Sequence, residues 1–393
     1  MGQTSNEGAV AAAANPPLFK PLRLRGLVLR NRIAISPMCM YSAPDSVATD
    51  FHLAHYTRFA LGGAGLVMIE ATAVVPEGRI THGDLGLWSD DQIAPLARVI
   101  AACKVQGAAV GVQLVHSGRK AARQRPWHGN GPMGEADAAR GELPWPIASA
   151  SAIPFGEGYL TPEALTPEGI GAMRRAFAAA AERAVRAGAD LVEIHAAHGF
   201  LLHSFMSPAT NTRDDAYNGD FAARHRFAAE VAADVRAAIP DDMPLFARIS
   251  MHDAAEPARP FGETVELAGL LGRNGVDVID CSSGGIGGHS ASTSGKATAL
   301  GFQLPDTARV RAGSGMKTMA VGLITEAELA DAAIRDGRTD LVAIGRETLW
   351  NPNWPHHARA ALSGPCYADW PEQYGWWLER REQLLEKIRA SSG

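Results

Sequence analysis

Residues 166–200 read TPEGIGAMRRAFAAAAERAVRAGADLVEIHAAHGF. Thr166-Pro167-Glu168 marks a helix start, with Thr as N-cap and Pro at the first helical position. Ile170, Met173, Phe177, Ala180, Ala181 and Ala184 then recur at helical spacing and form one apolar stripe. The alanines favour the helix and let it lie close to a neighbouring layer. Ala187-Gly188-Ala189-Asp190 ends it, because Gly readily takes the left-handed residue after a helix. Leu191–His195 follows as a short, near-continuous apolar run, the pattern of a parallel strand buried on both faces. Two histidines, His195 and His198, stand where the chain leaves that strand.

The same unit recurs on either side. Strands are expected at Ile33–Pro37, Leu66–Glu70, Ala109–Leu114, Leu191–His195, Leu245–Ile249, Val276–Asp280, Met319–Val321 and Leu341–Ile344, with helical stretches between them. Glycine turns precede four of them, at Gly62–Gly65, Ala187–Asp190, Asn274-Gly275 and Asp336-Gly337. Thr325-x-x-Glu328 reads as a capping box. Eight β-then-α units imply a (β/α)8 TIM barrel or a large doubly wound sheet. The barrel is preferred because polar residues follow many different strands, and no G-x-G-x-x-G follows the first. The expected organisation is a disordered arm over 1–17, a single barrel domain over 18–380 and a tail over 381–393. Gly118 to Leu165 breaks the rhythm. It is rich in Gly and Pro, carries Trp127 and Trp145, and follows the third strand. A connection this long reads as a lid over the active face, or else as a surface decoration.

The bulk properties narrow the partners. The 393 residues are 46% hydrophobic and 20% charged, with a net charge of -5 and scattered basic residues, which disfavours nucleic acid and anionic membranes. Cys39, Cys103, Cys281 and Cys366 show no C-x-x-C spacing, which fits a reducing cytoplasm better than a zinc or iron–sulfur site. The chain has no apolar run long enough to span a bilayer, and its start lacks the pattern of a signal peptide.

The chemistry is concentrated in Glu193-Ile194-His195-Ala196-Ala197-His198-Gly199-Phe200. If the chain turns helically after the strand, the three-residue spacing brings both imidazoles to one side. Two ring N–H donors would then polarise a carbonyl or nitro oxygen. A pair satisfied by backbone, or a metal pair using Glu70 and Asp280, is the alternative. Other strand ends carry Ser36-Pro37-Met38-Cys39-Met40-Tyr41, Glu70-Ala71-Thr72, Gln113 to Lys120, Arg248, Gly322 and Gly345-Arg346. Glycines beside cations after the last two strands suit a phosphate. Gln113 and Arg248 offer donors to a polar ring.

These motifs, with Pro371 to Arg380, make the chain similar to the Old Yellow Enzyme family, in particular its bacterial xenobiotic-reductase-like branch, from about Leu18 to Arg380. The resemblance implies non-covalent FMN, with NADPH or NADH as reductant and ping-pong hydride transfer to activated alkenes or nitro compounds. It implies Ser36, Pro37, Met38 and Cys39 along the flavin, Ala71, Gln113 and Arg248 beside it, and Gly322, Gly345 and Arg346 at its phosphate. Cys39 would modulate the flavin potential, Tyr41 would line the substrate pocket, and Trp377 or Trp376 would complete that pocket, in this chain or a neighbouring subunit. A homodimer or homotetramer is therefore expected, with no metal. One departure stands out. Members usually carry Tyr two residues after the second His, placed to protonate the substrate. Here that residue is Phe200, which has no proton to give. Tyr41 is one substitute. Desaturation of a cyclic ketone, a metal-dependent TIM-barrel hydrolase built on His195 and His198, and a non-catalytic flavin-binding scaffold are the remaining readings.

Overall fold

The computed structural model describes residues 15–288, 297 and 299–391. Most of the expected arm, residues 1–14, lies outside them, and Pro17–Phe19 already forms a 3-10 turn. Eight parallel strands follow: β1 (Ile33–Ile35), β2 (Leu66–Ala73), β3 (Ala109–Val115), β4 (Leu191–Ala196), β5 (Leu245–Ser250), β6 (Val278–Ser282), β7 (Lys317–Val321) and β8 (Leu341–Ile344). Each pairs with the next, and β8 pairs with β1, which closes the barrel. Helices connect the strands, so the fold is a (β/α)8 barrel.

The local reasons are those of the sequence, with exceptions. The helix Pro167–Arg186 buries Ile170, Met173, Phe177, Ala180, Ala181 and Ala184, and the Thr166 side chain accepts from the Gly169 amide. The expected capping box at Thr325 is absent. The helix Ala327–Arg335 has Glu326 as its N-cap with no side-chain cap bond, while the Thr325 carbonyl accepts from the Trp354 indole. β1 stops at Ile35, short of the expected Pro37, which has no N–H for a ladder. β6 begins at Val278 because the Val276 amide is spent on Leu271 O at the end of the preceding helix. In β2 the register shifts between Ile69 and Thr72, so Glu70 and Ala71 sit at a bulge that a period-2 pattern does not reveal.

Alternate residues on each strand face the barrel axis. Leu66, Met68, Leu191, Phe246, Val278, Met319 and Leu341 form one apolar cluster there. An N-terminal hairpin, Leu22–Leu24 with Leu27–Leu29, closes that end, since Leu22, Leu24 and Leu29 belong to the same cluster. The intervening residues, such as Val192, Ile194, Ala247 and Ile279, pack outward with the helices. The insertion after β3 is folded: Ala148–Ser149 pairs with Glu163–Ala164, and the Trp145 indole donates to Glu77 O. At the C-terminus one helix, Glu372–Ser391, runs through the expected boundary at residue 380. No helix among the described residues is long and apolar enough to cross a membrane.

Candidate active site

A cavity of about 450 Å³ opens at the C-terminal ends of the strands. That size suits a cofactor or small substrate. Most strand-end residues singled out from the sequence line it: Ser36, Pro37, Met38, Cys39 and Tyr41 after β1, Ala71, Gln113, His195, His198, Phe200, Arg248, Gly322, Gly345 and Arg346, whereas Met40, Glu70 and Thr72 do not. Lys120, Arg123, Pro126 and Asn130 line it too, so the insertion packs against this face. Trp376 and Trp377 do not. They lie on the C-terminal helix, 49% and 68% exposed, and are not brought to this chain's own cavity.

The histidine pair is held by its loop. Beyond β4 the chain takes positive φ at His198 (59°) and Gly199 (76°). A Cβ on Gly199 would meet Gly285 O at 2.2 Å, and one on Gly285 would meet the His198 backbone at the same distance. The loops after β4 and β6 thus approach each other closely enough to require glycine on both sides. Ser250 Oγ accepts from the His198 amide at 3.0 Å.

The ring geometry defines the donors. His195 Nδ1 accepts from the Ala197 amide at 3.2 Å, which leaves its proton on Nε2. His195 Nε2 lies 3.3 Å from His198 Nδ1, and His198 Nε2 lies 2.7 Å from Ser282 Oγ. Burial, followed by the nearby Arg248 guanidinium, drives both imidazoles well below the ordinary histidine range. They are neutral at pH 7, and each carries one N–H. The Phe200 ring packs edge-on against His195, with centroids 4.8 Å apart.

Below the pair lies a charged layer. Gln113 donates to Glu193 Oε1 at 2.7 Å, and Arg248 Nε stands 3.2 Å from Asp280 Oδ2. That contact lacks hydrogen-bond geometry, and Arg248 Nε, Glu193 Oε2 and both Asp280 oxygens have no hydrogen-bond partner among the described residues. Burial pushes the Glu193 and Asp280 carboxyls up. Glu70, pushed by burial to about 8, accepts from Tyr56 Oη and the Met40 amide, anchoring the segment after β1. Burial also pushes the Cys39 thiol and the Tyr41 hydroxyl up, so both are protonated at neutral pH.

The metal-dependent hydrolase reading meets this geometry poorly. A hydrolase would need Glu70 or Asp280 at the histidines, but these carboxylates face Tyr56 and Arg248. Among the described residues, the trio placed to share a metal is His128, Asp137 and Glu142, inside the insertion. There Arg125 and Arg140 already pair with the carboxylates.

The residues fit a flavin nucleotide. The unpartnered Arg248 Nε supplies a buried donor beside the cavity. Gly322 has φ 124° and is followed by Leu323 at 50°, while Gly345 opens on the cavity opposite Ser36 and Met38. This glycine-lined backbone, with Arg346, has the chemistry of a phosphate cradle. Lys120 and the insertion residues were missed as individual site residues. Their only signal was the basic run Arg119-Lys120 directly after a strand-end His116-Ser117-Gly118.

The comparisons with known proteins agree. The model of the NADH:flavin oxidoreductase / NADH oxidase family matches residues 17–363. The NADPH dehydrogenase of Geobacillus thermodenitrificans is 39% identical over 364 residues, covering 92% of this chain and 99% of that protein. The structure of morphinone reductase superposes with a TM-score of 0.72 at 29% identity, over 88% of this chain and 90% of that one. The old yellow enzyme homologue from Zymomonas mobilis shares the fold, with a TM-score of 0.71 at 24% identity over 88% and 92% of the two chains.

Proposed function

The chain belongs to the NADH:flavin oxidoreductase / NADH oxidase family, the Old Yellow Enzyme family of FMN-dependent oxidoreductases that use NAD(P)H, and from that premise we propose that it reduces activated alkenes and nitro compounds whose oxygen is clamped by His195 and His198. FMN supplies the two-electron exchange between nicotinamide and oxidant. Ser36, Pro37, Met38, Cys39, Ala71, Gln113 and Arg248 would hold its ring, and Gly322, Gly345 and Arg346 its phosphate.

One observation carries this reading. Two neutral imidazoles face the cavity with His195 Nε2 and His198 Nδ1 only 3.3 Å apart. His195 presents Nε2–H. If the Ser282 hydroxyl donates to His198 Nε2, His198 presents Nδ1–H. An anionic oxygen between them accepts both, and the bonds strengthen as charge builds on that oxygen. A phenolate satisfies the same donors. The exposed Trp376–Trp377 pair suits a homodimer or homotetramer in which it meets a second copy.

The test is the double replacement of His195 and His198 by Ala in the FMN-loaded protein. Phenol affinity and enone-driven reoxidation of the reduced protein should fall at least ~100-fold, the scale of a lost oxyanion donor, while FMN stays bound. Loss of FMN, or unchanged phenol affinity, would make the pair structural.

A further inference from the structure

Phe200 leaves the alkene reaction without an obvious acid, and the structure contains a group beside it that the clamp does not use. Lys120 lies at the root of the insertion and lines the cavity, yet it is only 4% exposed. Its Nζ donates to His198 O at 2.6 Å and to Gly288 O at 3.1 Å. The Nζ is 6.0 Å from the centre of the Phe200 ring and 4.4 Å from that of Phe155. No carboxylate among the described residues pairs with it; its charged neighbours are Arg119 and Arg123, with His195, His198 and His203 on the β4 side. Two of its three N–H bonds are spoken for by backbone, and the third has no acceptor among the described residues.

We propose that Lys120 is the proton donor to the substrate α-carbon, in place of the hydroxyl that Phe200 lacks. This rests on the alkene-reduction reading above. The β-carbon gains its hydrogen with an electron pair from the NAD(P)H-reduced cofactor, and the π pair of the C=C bond moves toward the oxygen held by His195 and His198. The enolate so formed collapses to the ketone as one Lys120 N–H bond breaks and a C–H bond forms at the α-carbon. The neutral amine then regains a proton from solvent. The bond to His198 O places the acid beside the residue that holds the substrate oxygen. Burial, reinforced by Arg123 and Arg119, weakens the ammonium's hold on its proton. Tyr41 is the poorer candidate: burial strengthens its hold, and its hydroxyl is engaged with Arg123.

The experiment reoxidises the reduced holoenzyme anaerobically with 2-methylcyclohexenone or with ferricyanide, which takes electrons alone. Lys120→Met should slow the enone reaction ~100-fold, within the range of general acid catalysis. Ferricyanide reoxidation and phenol affinity should change less than about 3-fold, which is outside that range. The product's α-carbon should lose its facial preference as water takes over. Lys120→Arg, which keeps donors for both carbonyls but is a far weaker acid, should show the same enone loss. Adding Phe200→Tyr to Lys120→Met should recover at least ~10-fold. Unchanged enone rates and stereochemistry, or equal slowing with both oxidants, would overturn the assignment. An unsubstituted enzyme that ferricyanide reoxidises and the enone does not would overturn the alkene reading, and Lys120 with it.

Discussion

The two ends of the barrel are built from the same strands and differ by one step along each. On β4 the axis-facing residues are Leu191, then Glu193 and His195; on β5 Phe246, then Arg248; on β6 Val278, then Asp280 and Ser282. The lower layer is apolar and sealed by the hairpin. The layer two residues higher holds two carboxyls, a guanidinium and a carboxamide, several of their atoms unpartnered. The closed end contributes stability, because apolar area leaves water there. The open end spends stability, because buried polar groups without partners are destabilising until a ligand uses them.

Replacements at the two ends should therefore separate stability from binding. The largest effect is expected at the sealed end. Phe246→Ala should destabilise by about 3–5 kcal/mol in urea unfolding, with the flavin spectrum of the folded protein unchanged. Loss of FMN at native conditions would show that the two layers are not separable.

A smaller effect of opposite sign is expected one layer up. The Glu193 carboxyl is raised in the folded state, first by burial and then by Asp280. The folded protein therefore holds a proton that the unfolded chain releases, and stability falls as pH rises from the ordinary carboxylate range toward that raised value. Glu193→Gln, whose carbonyl can still accept from Gln113, removes this loss. It should stabilise by about 1–3 kcal/mol near pH 8 and by little near pH 5. A gain independent of pH would mean that Glu193 is ionised throughout.

The smallest effect concerns the rim. Phe200→Tyr alone should speed enone-driven reoxidation by no more than about 3-fold, because Lys120 still supplies the proton, and should leave flavin reduction by NADPH unchanged. A gain of ~100-fold would restore the hydroxyl as the missing acid and count against Lys120.

Much of this was legible in the chain. The stripe of the helix Pro167–Arg186 appears residue for residue, because helical periodicity and a Thr-Pro start are local properties. The strand-end motifs all line one cavity, because a parallel barrel sends every β-to-α loop to the same side. The capping box at Thr325 failed because its residues answer to Trp354 and the start of a helix two residues later. Glu193 stood in full view inside the histidine motif, but its partners come from the neighbouring strands.

The sequence by itself determined the alternation of strand and helix, the glycine turns, and which residue types stand at each strand end, since these follow from hydrophobic period and backbone stereochemistry within a few residues. Only the tertiary structure decided the rest. The bulge aims Glu70 at Tyr56. The contact of Gly199 with Gly285 seats His198 against Ser282. The fold of the insertion brings Lys120 to His198 while the C-terminal tryptophans stay outside. Each of these depends on the distance between residues far apart in the chain, and barrel closure sets that distance.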